Sequence, residues 1–302
     1  MRIVSLLPST TEIICDLGLA DDLFGVTVEC NWPTGVQTGR EIVVRTFADP
    51  SMTPREIDEI VRQRISEGLD LYALDDAALQ RCDPDLILSQ DLCRVCAVAS
   101  GDVEAAKVRL NCDADILQID PLTLAQVIAS IATIADAAGV RDRGRAFIES
   151  LNARLAAVEE VVRGRERRRV FVLEWIDPPF GAGHWVPDLV RAAGGEPVLA
   201  KSGERSVATS WEEITDANPD VIVVSPCGYG LEESTAQALL VLDRLPLTAE
   251  VWAIDADAVM VRPGPRLVEG VEALAALLHQ VAPLPTALVE RIRSTEPSAP
   301  AI

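Results

Sequence analysis

Histidine and aromatic rings are scarce in this chain of 302 residues: there are two histidines, and Phe, Trp and Tyr together make up 4%. Two imidazoles leave little general-base capacity. None of the patterns GxSxG, GxxxxGK[ST], GxGxxG or HExxH occurs, so no nucleophile elbow, phosphate loop, dinucleotide fingerprint or zincin helix names an enzyme class. Basic residues are outnumbered 27 to 47, for a formal net charge of −20; such a field repels phosphate backbones and argues against nucleic acid as a partner. No apolar run approaches the ~20 residues of a membrane helix, so membrane insertion is not expected. The opening Met1-Arg2-Ile3-Val4-Ser5-Leu6-Leu7-Pro8 holds an apolar run of about five residues, stopped by Pro8. That is short for an export signal. It reads as the first strand of the fold and gives a cytoplasmic location as the expectation.

What the chain does have is material for cores: 49% hydrophobic and 25% charged residues, in a length sufficient for two lobes of roughly 120 residues each. The seven cysteines, Cys15, Cys30, Cys82, Cys93, Cys96, Cys112 and Cys227, are odd in number. Without an export signal, reduced thiols are expected rather than a disulfide framework.

The first half alternates short apolar strands with helical stretches. Residues 2–7 read as a strand, followed by a helix capped by Ser9 or Thr10, with Glu12 in its first turn and Gly18 after its end. Strands follow at 23–28, 84–88 and 114–119, with helices at 54–67 and 75–81. The second half repeats the plan, with strands at 169–175, 219–224 and 251–254 and helices at 185–193 and 267–279. The entries Cys82-Asp83-Pro84-Asp85-Leu86-Ile87-Leu88 and Ala217-Asn218-Pro219-Asp220-Val221-Ile222-Val223 echo each other, as two related lobes would. Between the halves, residues 122–138 are helical. After Gly139 a second helical pattern runs over 141–163, with Phe147, Leu151, Leu155, Val158 and Val162 at helical spacing. At 1.5 Å per residue it is ~35 Å long, a rigid connector that limits hinge motion, or else an ordinary surface helix of one α/β domain. The fold class expected is therefore α/β: two Rossmann-like lobes with central sheets flanked by helices, joined by one long rigid helix. The domains are 1–122, 123–166 for the connecting helices, 167–280, and a flexible tail over 281–302, rich in Pro, Ser and Thr.

Ligand crevices form outside the carboxyl ends of parallel strands. In those positions the sequence places Pro8, Ser9 and Thr10; Glu29, Cys30 and Trp32; Gln90, Asp91, Cys93 and Cys96; Trp175, Asp177, Phe180, His184 and Trp185; Cys227 and Tyr229; and Arg262 and Arg266. Of the scarce rings, Trp32, Trp175, Phe180, Trp185 and Tyr229 all fall there. They either wall a large flat ligand or pack a lobe interface. His184 follows Gly181-Ala182-Gly183 and opens a helix, whose dipole favours a neutral imidazole able to approach a metal; the alternative is a local hydrogen bond. Cys93-Arg94-Val95-Cys96 has the spacing of half a zinc site, with Cys30, Cys227 and His184 as further candidate ligands for zinc or iron. Cys93 also fits as a pocket lining residue, and the pair as redox-active. Arg262 and Arg266, around Pro263-Gly264-Pro265, suit an anionic edge of a ligand, or brace the start of a helix.

Residues 2–13 (Arg-Ile-Val-Ser-Leu-Leu-Pro-Ser-Thr-Thr-Glu-Ile), then Leu17-Gly18-Leu19 and Leu23-Phe24-Gly25-Val26-Thr27, resemble the opening of the vitamin B12-binding and iron-siderophore-binding proteins of ABC importers. The two Pro-Asp strand entries and the long central helix fit the same pattern, over about residues 1–280. A narrower group of cobalamin-binding proteins is similar in Ser89-Gln90-Asp91-Leu92-Cys93, Glu174-Trp175-Ile176-Asp177-Pro178-Pro179-Phe180, Gly183-His184-Trp185-Val186-Pro187 and Arg262-Pro263-Gly264-Pro265-Arg266. The resemblance implies a rigid pair of lobes that close on a cobalamin or other corrinoid in an inter-lobe cleft, for transport or delivery rather than catalysis. A permease or a corrinoid-dependent enzyme would receive the ligand. With the cytoplasmic expectation, a carrier, sensor or cofactor chaperone fits. The alternatives are a metal-binding or thiol-redox protein built on the cysteines and His184, or an enzyme of another class.

Overall fold

The computed structural model describes residues 1–46, 52–67, 69–90, 100–110 and 112–294. The chain divides into two compact units, Met1–Pro121 with Ala125–Ser150, and Leu122–Leu124 with Leu151–Ile302. Unit 1 contains β1 (Ile3–Ser5), α1 (Pro8–Asp16), β2 (Leu23–Thr27), β3 (Glu41–Thr46), α2 (Pro54–Ser66), β4 (Tyr72–Leu74), α3 (Asp76–Cys82), β5 (Leu86–Ser89), α4 (Ser100–Leu110) and β6 (Asp115–Gln118), followed by α5 (Leu124–Ala137) and the first part of α6 (Arg141–Val162). Its sheet has the order β4-β3-β2-β1-β5-β6. Every pairing is parallel except that of β4 on β3. Strands β1 and β5 are buried throughout, because a parallel sheet covered on both faces requires continuous apolar runs. Since β1 pairs with β2 on one side and β5 on the other, the chain turns opposite ways from it, the arrangement that opens a crevice at the carboxyl ends.

Helix α1 departs from the expected start. Leu7 is its N-cap and Pro8 its first residue, with no side-chain cap. Proline there has no N–H to satisfy and a fixed φ that suits the first turn. Glu12 therefore lies beyond the first turn. Leu17 caps the helix C-terminus, and Gly18 follows with φ +73°. Helix α2 is held by a capping box between Thr53 and Glu56, a device worth about 1 kcal/mol.

Helix α6 has 22 residues, about 33 Å at 1.5 Å each. The division between the units falls inside it, after Ser150. Within unit 1 it crosses α5 closely at Gly144, where a Cβ would collide with that of Ala135. Within unit 2, Leu151, Val158 and Val162 are buried at helical spacing.

Unit 2 continues with β7 (Arg169–Ile176), β8 (Pro179–Gly181), α7 (Val186–Ala192), β9 (Glu196–Pro197), β10 (Val207–Ala208), α8 (Trp211–Asp216), β11 (Val221–Val224), α9 (Leu231–Val241), β12 (Glu250–Ile254), α10 (Ala256–Val259), α11 (Leu267–His279) and β13 (Val289–Arg293). The sheet runs β10-β8-β7-β11-β12-β13, with β9 also on β7. Its centre β7-β11-β12 is parallel, and β13 and the β8–β10 side are antiparallel. Phe171 of β7 is fully buried beside Ile222, Val224 and Val251, and burying such a side chain is worth about 1.5–3 kcal/mol.

The tail expected to be flexible from 281 onward instead contains β13, whose Val289 is buried against Ile254 of β12. Val-Glu-Arg-Ile-Arg has no apolar/polar alternation: buried Val289 and half-buried Ile292 are three residues apart, with exposed Glu290 and Arg291 between them, so the strand carries no period-2 signal. Among the described residues no helix is long and apolar enough to cross a membrane.

Candidate functional site

In unit 1 the carboxyl ends of the three central strands are all hydroxyl residues: Ser5 on β1, Thr27 on β2 and Ser89 on β5. They do not stand open. Ser5 Oγ donates to Leu7 O at 2.9 Å and lies 2.6 Å from Thr10 Oγ1, and Thr11 Oγ1 donates back to Ser5 Oγ at 2.8 Å. Cys30 joins this network through Thr11 Oγ1 at 3.1 Å and Thr27 Oγ1 at 3.3 Å. Ser9, Thr10 and Cys30 are buried, at 2%, 0% and 1% exposure. Thr10 is bonded to Ser5 Oγ and to Leu7 O within the tight β1–α1 turn, as buried hydroxyls require, and Ser9 is buried beside it. Pro8 is half-buried at the helix start. Glu29 accepts a hydrogen bond from the Tyr72 hydroxyl at 3.2 Å, and Trp32 is 41% exposed. Gln90 is buried at the end of β5. Asp91, Cys93 and Cys96 lie outside the described residues.

In unit 2 the loops after β7, β8 and β11 gather the aromatic groups. Trp175, near the end of β7, stacks on Tyr229 with ring centroids 5.9 Å apart and planes at 21°, within the favourable range for offset stacking. The indole Nε1 of Trp175 is buried and has no hydrogen-bond partner. Burial raises the Tyr229 hydroxyl pKa, with Glu233 adding to it. Asp177 and Phe180 are half-buried on the β7–β8 hairpin. Exposed Cys227 follows β11, its N–H donating to Glu174 O at 3.1 Å.

His184 is held in an unusual backbone state. Its φ is +52°, which costs a non-glycine residue about 1 kcal/mol or more and persists only where the surroundings impose it. Those surroundings are the 203–206 segment: His184 N donates to Glu204 O, and Gly203 N to His184 O at 3.0 Å. One residue earlier, Gly183 N donates to Ser206 Oγ at 3.1 Å, which in turn donates to Glu174 Oε1 at 2.7 Å. Ser206 and Glu174 thus position the imidazole. The sequence carries no local sign of this, because the partners are 23 and 32 residues apart. Burial lowers the His184 pKa, and Arg205 lowers it further. Its Nε2 is buried without a partner. A neutral imidazole with a free nitrogen can accept a hydrogen bond or bind a metal.

Three other expectations change. Trp185 is 6% exposed and its indole donates to Met260 O at 2.8 Å, so it packs the unit rather than walling a ligand. Arg262 is 9% exposed, and its guanidinium contacts both carboxylate oxygens of Asp257, at 2.7 and 2.6 Å. Arg266 pairs with Glu269 at 3.4 Å. Both arginines therefore brace the α10–α11 turn. No three His, Cys, Asp or Glu residues come together as a metal site among the described residues; Cys30 is already engaged with threonine hydroxyls.

Two α/β units, one with a mostly parallel sheet and one with a parallel centre and antiparallel flanks, have the fold of the class III, helix-linked binding proteins. The chain belongs to the periplasmic binding protein family, whose model matches residues 3–263. Binding is what that family does, so the protein is not an enzyme. It is 24% identical over 292 residues to an uncharacterized ABC transporter substrate-binding lipoprotein, YvrC, of Bacillus subtilis, covering 92% of this chain and 80% of that one. The periplasmic vitamin B12 binding protein BtuF of Vibrio cholerae has the same fold, with a TM-score of 0.65, 21% identity, and coverage of 93% and 97% of the two chains. So does a periplasmic heme binding protein of Pseudomonas aeruginosa, with a TM-score of 0.72, 17% identity, and coverage of 97% and 98%.

Proposed function

We propose that this chain is the substrate-binding component of an ABC transporter and that its ligand is cobalamin or a related corrinoid, handed on to a permease. The observation that carries the reading is the Trp175–Tyr229 ring stack in the same unit as a neutral, partnerless His184 Nε2. Stacked rings with a half-buried face suit a broad apolar macrocycle. An unprotonated imidazole suits a metal with an exchangeable axial position. The B12 and heme ligands in the names of the two structural neighbours are chemically of this kind. Asp177 and Phe180, half-buried on the β7–β8 hairpin of the same unit, are the further contacts of the proposed site.

The test is a titration of the purified protein with aquocobalamin, haem and a ferric siderophore, read by visible absorbance and tryptophan fluorescence. Aquocobalamin is expected to saturate one site, with a shifted visible band as imidazole replaces water and with quenching of Trp175. His184→Gln is expected to abolish the band shift while leaving part of the quenching, and Trp175→Ala to lose the quenching. Saturable binding of haem or siderophore with none of aquocobalamin would overturn the corrinoid assignment.

A further inference from the structure

Unit 2 has an open concavity near the amino-terminal end of its central strand. The last turns of α6, the 163–167 turn and the end of α7 line an open cleft of about 550 Å³. It adjoins the amino-terminal end of β7, which begins at Arg169, whereas Trp175 and the loops described above lie at the carboxyl end. At ~3.3 Å per residue, β7 separates the two by some 20 Å.

The lining is basic in an acidic protein. Arg163, Arg165, Arg167 and Arg191 face Glu159 as the one carboxylate among the lining residues, an excess of three positive charges in a chain of net charge −20. Five of the seven residues from 163 to 169 are arginine. Capping the end of α6 accounts for one of them: Arg165 donates to Val161 O at 2.9 Å and to His279 O at 3.2 Å. Arg168 pairs with Glu250 at 3.1 Å, and Arg169 donates to Ala217 O at 2.7 Å, so these two serve the sheet and do not line the cavity. Arg163 pairs with Glu160 on the surface, and such exposed pairs contribute little and exchange readily; Arg191 makes a long contact, 3.4 Å, with half-buried Asp188. Arg167 is exposed and makes no hydrogen bond or ion pair among the described residues. Gly194, with φ +82°, lets this wall pack closely on α6 and α11: a Cβ there would lie 2.7 Å from His279 Nε2 and 2.9 Å from Val162.

We propose that this cavity is a binding site for a phosphorylated small molecule, gripped by the guanidinium groups of Arg163, Arg167 and Arg191. Guanidinium presents paired N–H donors that match phosphate oxygens. Several guanidiniums around one concavity suit a multiply charged anion better than a single carboxylate. The volume exceeds that of a lone phosphate and falls within the range of small-molecule pockets, so an organic group enters with the phosphates.

The experiment is isothermal titration of the full chain at low salt, with ATP and inorganic pyrophosphate as probes and adenosine as the uncharged control. ATP is expected to bind with 1:1 stoichiometry, pyrophosphate more weakly, and adenosine not at all. Arg167→Gln with Arg191→Gln is expected to weaken ATP at least about tenfold, the loss of charge-assisted hydrogen bonds, with an unchanged melting temperature. Arg62→Gln, an exposed arginine of unit 1, is expected to change nothing. Absence of saturable ATP binding, equal weakening by Arg62→Gln, or equal binding of adenosine would each overturn the proposal. The aquocobalamin titration is read separately and is expected to be the same in all these variants, so failure here leaves the corrinoid reading standing, and the reverse.

Discussion

Replacing Gly183 with alanine tests the most constrained element of the His184 loop. A Cβ at this position would lie 2.5 Å from the Arg205 carbonyl carbon and from Glu204 O, and closer still to Ser206 N. All three are backbone atoms, so no side-chain rotation relieves the clash. The 204–206 segment must move as a body, together with the bond from His184 N to Glu204 O and the Ser206–Glu174 contact. Overpacking of this kind costs about 1–3 kcal/mol. In a folding unit of this size each kcal/mol lowers the melting temperature by roughly 2–4 °C, for an expected loss of roughly 2–12 °C. Displacing the imidazole is expected to weaken aquocobalamin about tenfold, equivalent to about 1.4 kcal/mol. Gly203→Ala supplies the contrast: its φ is +75°, but the nearest atom, Thr123 Cγ2, is 3.7 Å away. It carries only the conformational cost, about 1 kcal/mol, and is expected to melt closer to the native chain. Thermal melts by circular dichroism and the visible titration measure both. A Gly183→Ala protein that melts within 1 °C of the native chain and binds equally well would refute the reasoning.

Three further outcomes follow from the same contacts. Trp185→Phe leaves Met260 O buried and without its donor, an expected loss of about 1–3 kcal/mol by chemical denaturation. Retained stability would mean that the indole bond is dispensable. The pKa values of both histidines are lowered chiefly by burial, so the unfolded chain takes up protons on them that the native chain does not, as pH falls through their ordinary value near 6.5. Stability is therefore expected to drop from pH 7.5 to 5.5, with a shallower drop in His184→Gln; an identical slope in that variant would refute the assignment. Among the cysteines of the described residues, alkylation of the native protein followed by mass spectrometry is expected to mark exposed Cys227 first. Cys15 and Cys82, whose thiols burial pushes up to about 11, are expected to react only on unfolding, and labelling of Cys82 at the rate of Cys227 would contradict this.

Much of the fold is legible because the central strands are buried on both faces. Ile3–Ser5, Leu86–Ser89, Arg169–Ile176 and Val221–Val224 stand out as apolar runs between turn residues, and the 22-residue helix shows its period directly. Strands that are only partly buried are harder to see. Glu41–Thr46, which lies inside its sheet, and Val289–Arg293, on an edge, both carry charged residues among the apolar ones, which dilute the apolar signal. At the candidate site, position along the chain correctly locates the loops but not which way a ring points. Trp175 and Trp185 look equivalent in sequence; the first stacks on Tyr229 with a vacant N–H, while the second turns inward to Met260. Arg262 and Asp257 are five residues apart, a pairing that only the turn after α10 creates. The arginine run at 163–169 is visible in the sequence, but its meaning depends on Arg191 at the end of α7 and Gly194 in the turn after it.

The antiparallel strand at the carboxyl end of the described chain has a practical consequence. Val289–Arg293 occupies the hydrogen-bonding edge of Glu250–Ile254, and Arg293 reaches back to Ala249 O at 3.2 Å. A protein cut short at residue 288 would leave a ladder of unmatched amide groups beside an apolar strand, an invitation for neighbouring molecules to add on. Expression designs should therefore keep the chain at least through Arg293 and attach any fusion beyond it, or expect a shift from monodisperse protein to insoluble material.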